Sequence, residues 1–215
     1  MDTPAYTDRQ KQILRQLKMY YEVTPQRVRF DEHDRIIADG FVELLMGTRQ
    51  LQVEFSEVNS SFSAVGKGLV TLLGAPEKVE GYFDVASNKL ETLRGGPKWV
   101  GGDFICWKNQ LSSLEAAPEH VGGAFIIYAN PLVSLEGMPQ KIGVKLALSY
   151  DPELPLLRTL VAPHIELSTG PKVVSWDRLL LCEEILNKYA GQGRAGAIDC
   201  KRALVAAGFE GNARW

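Results

Sequence analysis

A period of 21 residues runs through the middle of the chain and constrains its fold more than any other feature. Three tandem segments, GAPEKVEGYFDVASNKLETLR, GGPKWVGGDFICWKNQLSSLE and AAPEHVGGAFIIYANPLVSLE, begin at Gly74, Gly95 and Ala116. Laid on one another they align Pro76, Pro97 and Pro118, with Pro139 next in step. Phe83, Phe104 and Phe125 align, with Leu146 next, as do Asn88, Asn109 and Asn130, with Asp151 next. Leucines recur at Leu90, Leu111 and Leu132 and at Leu93, Leu114 and Leu135. A unit this short cannot bury its own apolar face. Stacked neighbours bury it for one another, so a fixed period in this range specifies a solenoid.

Within a unit, Phe83 and Val85 alternate with Tyr82, Asp84 and Ala86, the pattern of a strand with one buried face. After that strand the chain must turn with its backbone buried, and a side-chain amide can bond that backbone within its own or a neighbouring coil. Asn88, Asn109 and Asn130 suit this task. Asp151 is a weaker substitute and marks the end of the regular stack. Leu90 and Leu93 fill the core, and Pro76 and Val79 bring the chain back in an extended or 3₁₀ return. The repeat extends backward from Phe83 to Phe62 and then Phe41, with Val58 ahead of Val79, and Leu69 and Leu72 ahead of Leu90 and Leu93. Forward, Leu146, Leu148, Leu154 and Leu157 continue it, and His164 to Leu167 reads as a last strand. About six coils are expected between Gly40 and Thr169.

The flanks read differently. Residues 7–22 form an amphipathic helix opened by a Thr7/Gln10 capping box, with Ile13, Leu14, Leu17, Tyr20 and Tyr21 on the apolar face and Arg9, Lys11, Arg15 and Lys18 opposite. Gln26–Phe30 and Arg35–Ala38 read as a hairpin around Asp31–Asp34. Ser175–Tyr189 and Ala197–Ala207 read as a helical hairpin, broken at Gly191 and Gly193 and ended by Gly208. The expected architecture is an α/β repeat solenoid of stacked parallel strands. Residues 1–39 are a helix-plus-hairpin cap, 40–170 the solenoid and 171–215 a C-terminal helical cap. Such caps shield open strand edges and apolar ends.

The unit V-x-G-x-F-x-V-x-x-N-x-L-x-x-L resembles the leucine-rich repeat pattern L-x-x-L-x-L-x-x-N-x-L over about 130 residues. LSSLEAAPEHVGGAFIIYANPLVSLEG, residues 111–137, is also similar to the coils of short leucine-rich repeat proteins of tailed bacteriophages. Those proteins often open with a helix and a hairpin, and the tail GFEGNARW resembles their endings. Their function is mostly unassigned, so the resemblance implies a phage origin more than an activity. The coils also resemble those of secreted bacterial effectors that carry a ubiquitin-ligase domain, for which 215 residues leave no room.

Composition narrows the function classes. Apolar residues make up 45 % and charged residues 23 % of the chain, as in a soluble globular protein. A net charge of −2 gives no global pull toward nucleic acid. The start MDTPAYTDRQ lacks the basic-then-apolar pattern of a leader, and no apolar run is long enough to span a membrane. With an odd cysteine count, this predicts reduced thiols and a cytoplasmic location. Cys106, Cys182 and Cys200 have no metal-ligand spacing. His33, His120 and His164 lie in unrelated segments, so neither metal nor cofactor is expected. His120 shares the surface slot of Lys78 and Lys141, and Cys106 the core slot of Val85, Ile127 and Leu148. GQGRAG, residues 191–196, lacks the preceding strand and the following Lys-Ser/Thr of a phosphate loop. Cys200, beside Lys201 and Arg202, is the one candidate for a thiol of lowered pKa, although a structural cysteine is the stronger reading.

The positions that point out of the sheet carry the functional signal. In register they are Tyr82, Asp84 and Ala86; Asp103, Ile105 and Trp107; Ala124, Ile126 and Tyr128; and Lys145, Ala147 and Ser149. A free-standing face should be polar here. Instead Ile105, Ile126, Trp107 and Tyr128 fall on adjacent strands about 5 Å apart. They form an apolar, aromatic patch rimmed by Asp84, Asp103, Lys108 and Lys145, with Tyr82 alongside. Such patches mark contact sites, and Trp and Tyr are enriched among binding hot spots. Cover by a terminal helix, or by a second copy in a homodimer, are the competing readings. The expected function is a non-enzymatic protein-binding module, a phage protein that binds and modulates a host protein such as an enzyme or defence factor, with inhibition as one form this takes. A self-assembling structural or virion-associated protein is the first alternative. A small enzyme using Cys200 or Asp199 on the C-terminal hairpin is the second.

Overall fold

The computed structural model describes residues 6–23, 27–170, 172 and 175–215; Gln26, the expected start of the hairpin, lies outside them. Helix α1 (Asp8–Tyr20) opens with the expected capping box, Thr7 and Gln10 each bonding the other's backbone N–H. Strands β1 (Tyr21–Glu22) and β2 (Val28–Phe30) follow. The coils come next, each giving one short strand to each of two sheets. The strand pairs are β3 (Ile36–Ala38) and β4 (Val42–Leu44), β5 (Phe55–Val58) and β6 (Phe62–Ser63), and β7 (Lys78–Val79) and β8 (Phe83–Asp84). They continue with β9 (Trp99–Val100) and β10 (Phe104–Ile105), β11 (His120–Val121) and β12 (Phe125–Ile126), and β13 (Lys141–Ile142) and β14 (Leu146–Ser149). After a 3₁₀ segment (Leu157–Val161) come β15 (Ile165–Ser168), α2 (Trp176–Tyr189) and α3 (Gly193–Ala206). Among the described residues the molecule is a parallel β-solenoid of about six turns with three α-helices.

The eight-stranded sheet runs β1-β4-β6-β8-β10-β12-β14-β15 and the seven-stranded sheet β13-β11-β9-β7-β5-β3-β2. Every pairing is parallel except β1 with β4 and β2 with β3. Identical repeat positions pair, so Phe62, Phe83, Phe104, Phe125 and Leu146 form one register column. The phenylalanine rings lie 5.2, 5.6 and 5.3 Å apart along it. Phe55 and Tyr21 extend this buried spine edge-to-face toward the N-terminal end. The corner between the two strands of a coil is too tight for a side chain. A Cβ at Gly122 would strike the carbonyl oxygen of Gly101, and one at Gly143 that of Gly122, which explains the repeated Gly after Val.

The asparagines close the turns as expected. Each Oδ1 accepts a backbone N–H from the preceding coil: Asn88 from Leu69, Asn109 from Leu90 and Asn130 from Leu111, at 3.0–3.1 Å. Each Nδ2 donates to one carbonyl of the preceding coil (Ala64, Val85 or Cys106) and one of its own (Val85, Cys106 or Ile127). One buried amide thus stitches two coils, satisfying backbone groups that would otherwise be orphaned.

The ends depart from the regular reading. The N-terminal step is 20 residues: Val42 pairs with Phe62, and Ala38 with Val58. The return between Val42 and Val58 is one residue shorter than its successors, and a one-residue slip exchanges the faces of a strand. Val42 therefore enters the core at 0 % exposure, and Phe41, expected there, is 40 % exposed. The helix and hairpin, read as a cap for the open end, also add strands to the sheets. β3 joins the seven-stranded sheet in parallel with β5, and β1 extends the other sheet.

At the other end Asp151 does not take the place of asparagine. Its carboxylate accepts the Glu153 N–H and pairs with Lys172 at 2.9 Å. The amide comes from the tail: Asn212 donates to the carbonyls of Asp151 and Leu154 at 2.9 Å and accepts the Tyr150 hydroxyl at 3.0 Å. Phe209, Asn212 and Ala213 are buried there. The outer edge of β15 is satisfied by α2. Asn187 bonds both N–H and carbonyl of Ile165, and Glu183 accepts the Leu167 N–H. Among the described residues no helix is long and apolar enough to cross a membrane.

Candidate binding face

The outer face of the eight-stranded sheet gathers the residues singled out by the sequence. Ile105 and Ile126 are register partners on β10 and β12. Two residues further on, Trp107 and Tyr128 stack, with ring centroids 5.7 Å apart and planes 11° from parallel. All four stay partly open to solvent. Tyr82 is exposed, its ring 6.2 Å from that of Phe41. The outward-pointing Ala86, Ala124 and Ala147 are buried. The terminal helices pack elsewhere: α1 against β1, α2 against β15 and the 3₁₀ segment, and α3 against α2 and the 3₁₀ segment.

The charged rim divides in two. Lys145 pairs with Glu166 at 2.5 Å. Asp84, Asp103 and Lys108 are in no ion pair among the described residues, and neither is Glu43. The Asp103 carboxylate accepts the Ala124 N–H at 2.7 Å, and that of Asp84 the Ala86 N–H at 3.0 Å. Burial pushes the Asp84 carboxyl above its ordinary pKa, and the bond from Ala86 opposes this only in part. Lys108 stands at φ 55°, in a left-handed position shared with Ser87 and Ala129 just ahead of each asparagine.

Sequence reasoning missed how far the apolar strip extends. Leu45, Met46 and Val65 are exposed at the N-terminal end of the same face. Val65 sits 21 residues before Ala86, and Leu45 a 20-residue step before Val65, so Leu45, Val65, Ala86, Trp107 and Tyr128 make one column. The 20-residue step hid it.

The other candidates lead elsewhere. Cys106, Cys182 and Cys200 are free and buried. Burial pushes the Cys200 thiol up to about 11 and the Cys182 thiol to about 12, so Lys201 and Arg202 do not make Cys200 a low-pKa thiol. No cluster of His, Cys, Asp and Glu able to hold a metal occurs among the described residues. His120 stacks on Trp99 with centroids 5.5 Å apart on the opposite sheet, where Lys78 stands over the indole at 5.4 Å. A cavity of about 630 Å³ beside Arg158, Arg194 and Trp215 lies at the C-terminal end, away from the aromatic face. Comparison of the chain with family models, with curated proteins and with solved structures returned no match.

Proposed function

We propose that this chain is a leucine-rich repeat protein of the short-coil type, a non-enzymatic module that binds a protein partner through the outer face of its eight-stranded sheet. The observation that carries the reading is the stacked Trp107–Tyr128 pair beside Ile105 and Ile126, held on a rigid sheet and left partly open to water. Flat, pre-ordered aromatic surface of this kind anchors interfaces, because little conformational freedom is lost on contact. The unpaired, partly desolvated Asp84 beside it supports the same reading. In this proposal α1 with the β2–β3 hairpin caps one end of the coil stack, and α2 with α3 and the tail caps the other.

The similarity of residues 111–137 to phage coils extends the proposal to a phage protein that acts in the host cytoplasm and inhibits a host enzyme or defence factor. The test is affinity capture from bacterial lysate with the wild-type chain and with Trp107→Ala/Tyr128→Ala. A specific partner retained by the wild type and lost by the double variant, with circular dichroism unchanged, supports the reading. A partner retained equally by both folded proteins sinks it. A wild type that sediments as a dimer and dissociates on the same substitutions assigns the face to self-assembly.

A further inference from the structure

We infer that the occupant of this face is a basic amphipathic helix of the partner. The inference rests on the binding reading above and adds the partner's chemistry. The outer face has two parallel columns. The apolar one, Leu45, Val65, Ala86, Trp107 and Tyr128, runs just past the ends of five adjacent strands, with Ala86 buried at its middle. At the usual strand spacing it is about 19 Å long. Two residues earlier on the same strands stand Glu43, Ser63, Asp84, Ile105 and Ile126, about 7 Å to one side, with Asp103 on the next row. Two carboxylates, Glu43 and Asp84, therefore flank the apolar column at the N-terminal half of the face, and a third, Asp103, stands beyond Ile105 of β10. None of the three has a cationic partner among the described residues. Of the cations on the face, Lys145 is already matched by Glu166, and Lys108, next to Trp107, is the one without an ionic partner against these three carboxylates.

The kind of element follows from hydrogen bonding. The backbone of β8, β10 and β12 is bonded to neighbouring strands on both sides, so the face offers only side chains to a partner. A docking element must then satisfy its own backbone, which a helix does and a lone extended segment does not. A helix along the column presents about 13 residues over 19 Å. Its apolar stripe lies on Trp107, Tyr128 and Val65, and lysines or arginines on one flank reach the carboxylates. An acidic helix would bring like charges together beside the already desolvated Asp84, a repulsive arrangement that discriminates against it.

The test uses an array of synthetic amphipathic 15-residue peptides with varied apolar stripes, each made with a Lys/Arg flank and again with a Glu flank. Binding to the full chain is read by fluorescence anisotropy at low and at physiological salt. The best basic peptides should bind at least about tenfold more tightly than their acidic counterparts, with the difference shrinking as salt rises. Asp84→Asn/Asp103→Asn should erase the difference while keeping the apolar contact. Trp107→Ala/Tyr128→Ala should abolish binding of both series. Equal or tighter binding of the acidic series overturns the inference, as does a difference that survives Asp84→Asn/Asp103→Asn, or no binding by either series. A partner captured from lysate that needs Trp107 and Tyr128 but ignores Asp84→Asn/Asp103→Asn removes the charge argument and leaves the face as the binding site.

Discussion

The two outer faces of the solenoid come from the same repeat, yet they are finished differently. On the seven-stranded sheet several exposed groups answer one another, although Glu57 and Lys141 are in no ion pair among the described residues. Arg35 bridges to Glu77 at 2.5 Å, Lys98 reaches the same carboxylate at 3.7 Å and Lys78 pairs with Glu80 at 2.6 Å. The aromatic residue of that face, Trp99, lies between Lys78 and the ring of His120. On the eight-stranded sheet Trp107 and Tyr128 stack only on each other, the isoleucines beside them stay partly open, and Glu43, Asp84, Asp103 and Lys108 have no ionic partner among the described residues. A face that pairs its own groups gains little from a further contact. A face that leaves aromatic surface and carboxylates unmatched has more to gain from one, which is the basis of the proposed binding site. Each coil supplies one strand to each sheet, so the difference lies in which residue types fill the outward slots of the two strands.

The largest expected effect breaks the frame that holds both faces. Asn109→Ala removes an acceptor for the Leu90 N–H and donors to the carbonyls of Val85 and Cys106, all buried. Leaving such groups unsatisfied costs about 3 kcal/mol, a fall of roughly 10 °C in melting temperature for a chain of this size. Thermal melting followed by circular dichroism checks it, and both faces should fail together.

Trp107→Ala/Tyr128→Ala separates the faces. It should weaken partner binding by about 2 kcal/mol or more, some thirtyfold, with a smaller loss of stability because neither ring belongs to the phenylalanine spine. Calorimetric titration against the captured partner, with a parallel melt, measures both quantities. Trp99→Ala is the mirror experiment on the seven-stranded sheet. Loss of the stacked and cationic contacts should cost about 1 kcal/mol of stability and leave partner binding unchanged.

The smallest effect carries a sign. Burial raises the Asp84 pKa in the folded chain, so the ionised form is penalised at neutral pH and the penalty disappears once folded and unfolded states are both protonated. Asp84→Asn, which keeps the oxygen that accepts the Ala86 N–H, should therefore melt slightly higher than wild type at pH 7. The gap should close as the pH falls below the ordinary carboxylate range. A gap that widens in acid would mean that Asp84 is stabilised as an anion on this face. Higher stability combined with weaker binding is the expected mark of a residue held for contact.

The coils were legible because their causes are local. Phe83, Phe104 and Phe125 fill one column and Asn88, Asn109 and Asn130 close one type of turn, so spacing alone identifies both. The Trp107–Tyr128 pair was legible for the same reason, as two outward slots one coil apart. The ends were not, because they depend on distant chain. Nothing near Asp151 announces that the amide for its turn arrives from Asn212, or that Asn187 and Glu183 of α2 complete the edge of β15. Phe41 misled because a single-residue shortening upstream of Val58 turned the first coil over, exposing Phe41 and hiding the link from Val65 to Leu45. For Cys200 the basic neighbours left a reactive reading open beside the stronger structural one, and the helix settles it by turning Cys200 into the core while Lys201 and Arg202 stay exposed.

The measurement closest to the central claim compares the two faces directly: affinity for the captured partner in wild type, Trp107→Ala/Tyr128→Ala and Trp99→Ala, each confirmed folded by circular dichroism. Loss confined to the Trp107/Tyr128 variant is the predicted result and makes the eight-stranded face the binding surface. Loss confined to Trp99→Ala, or equal affinity in all three, contradicts the account.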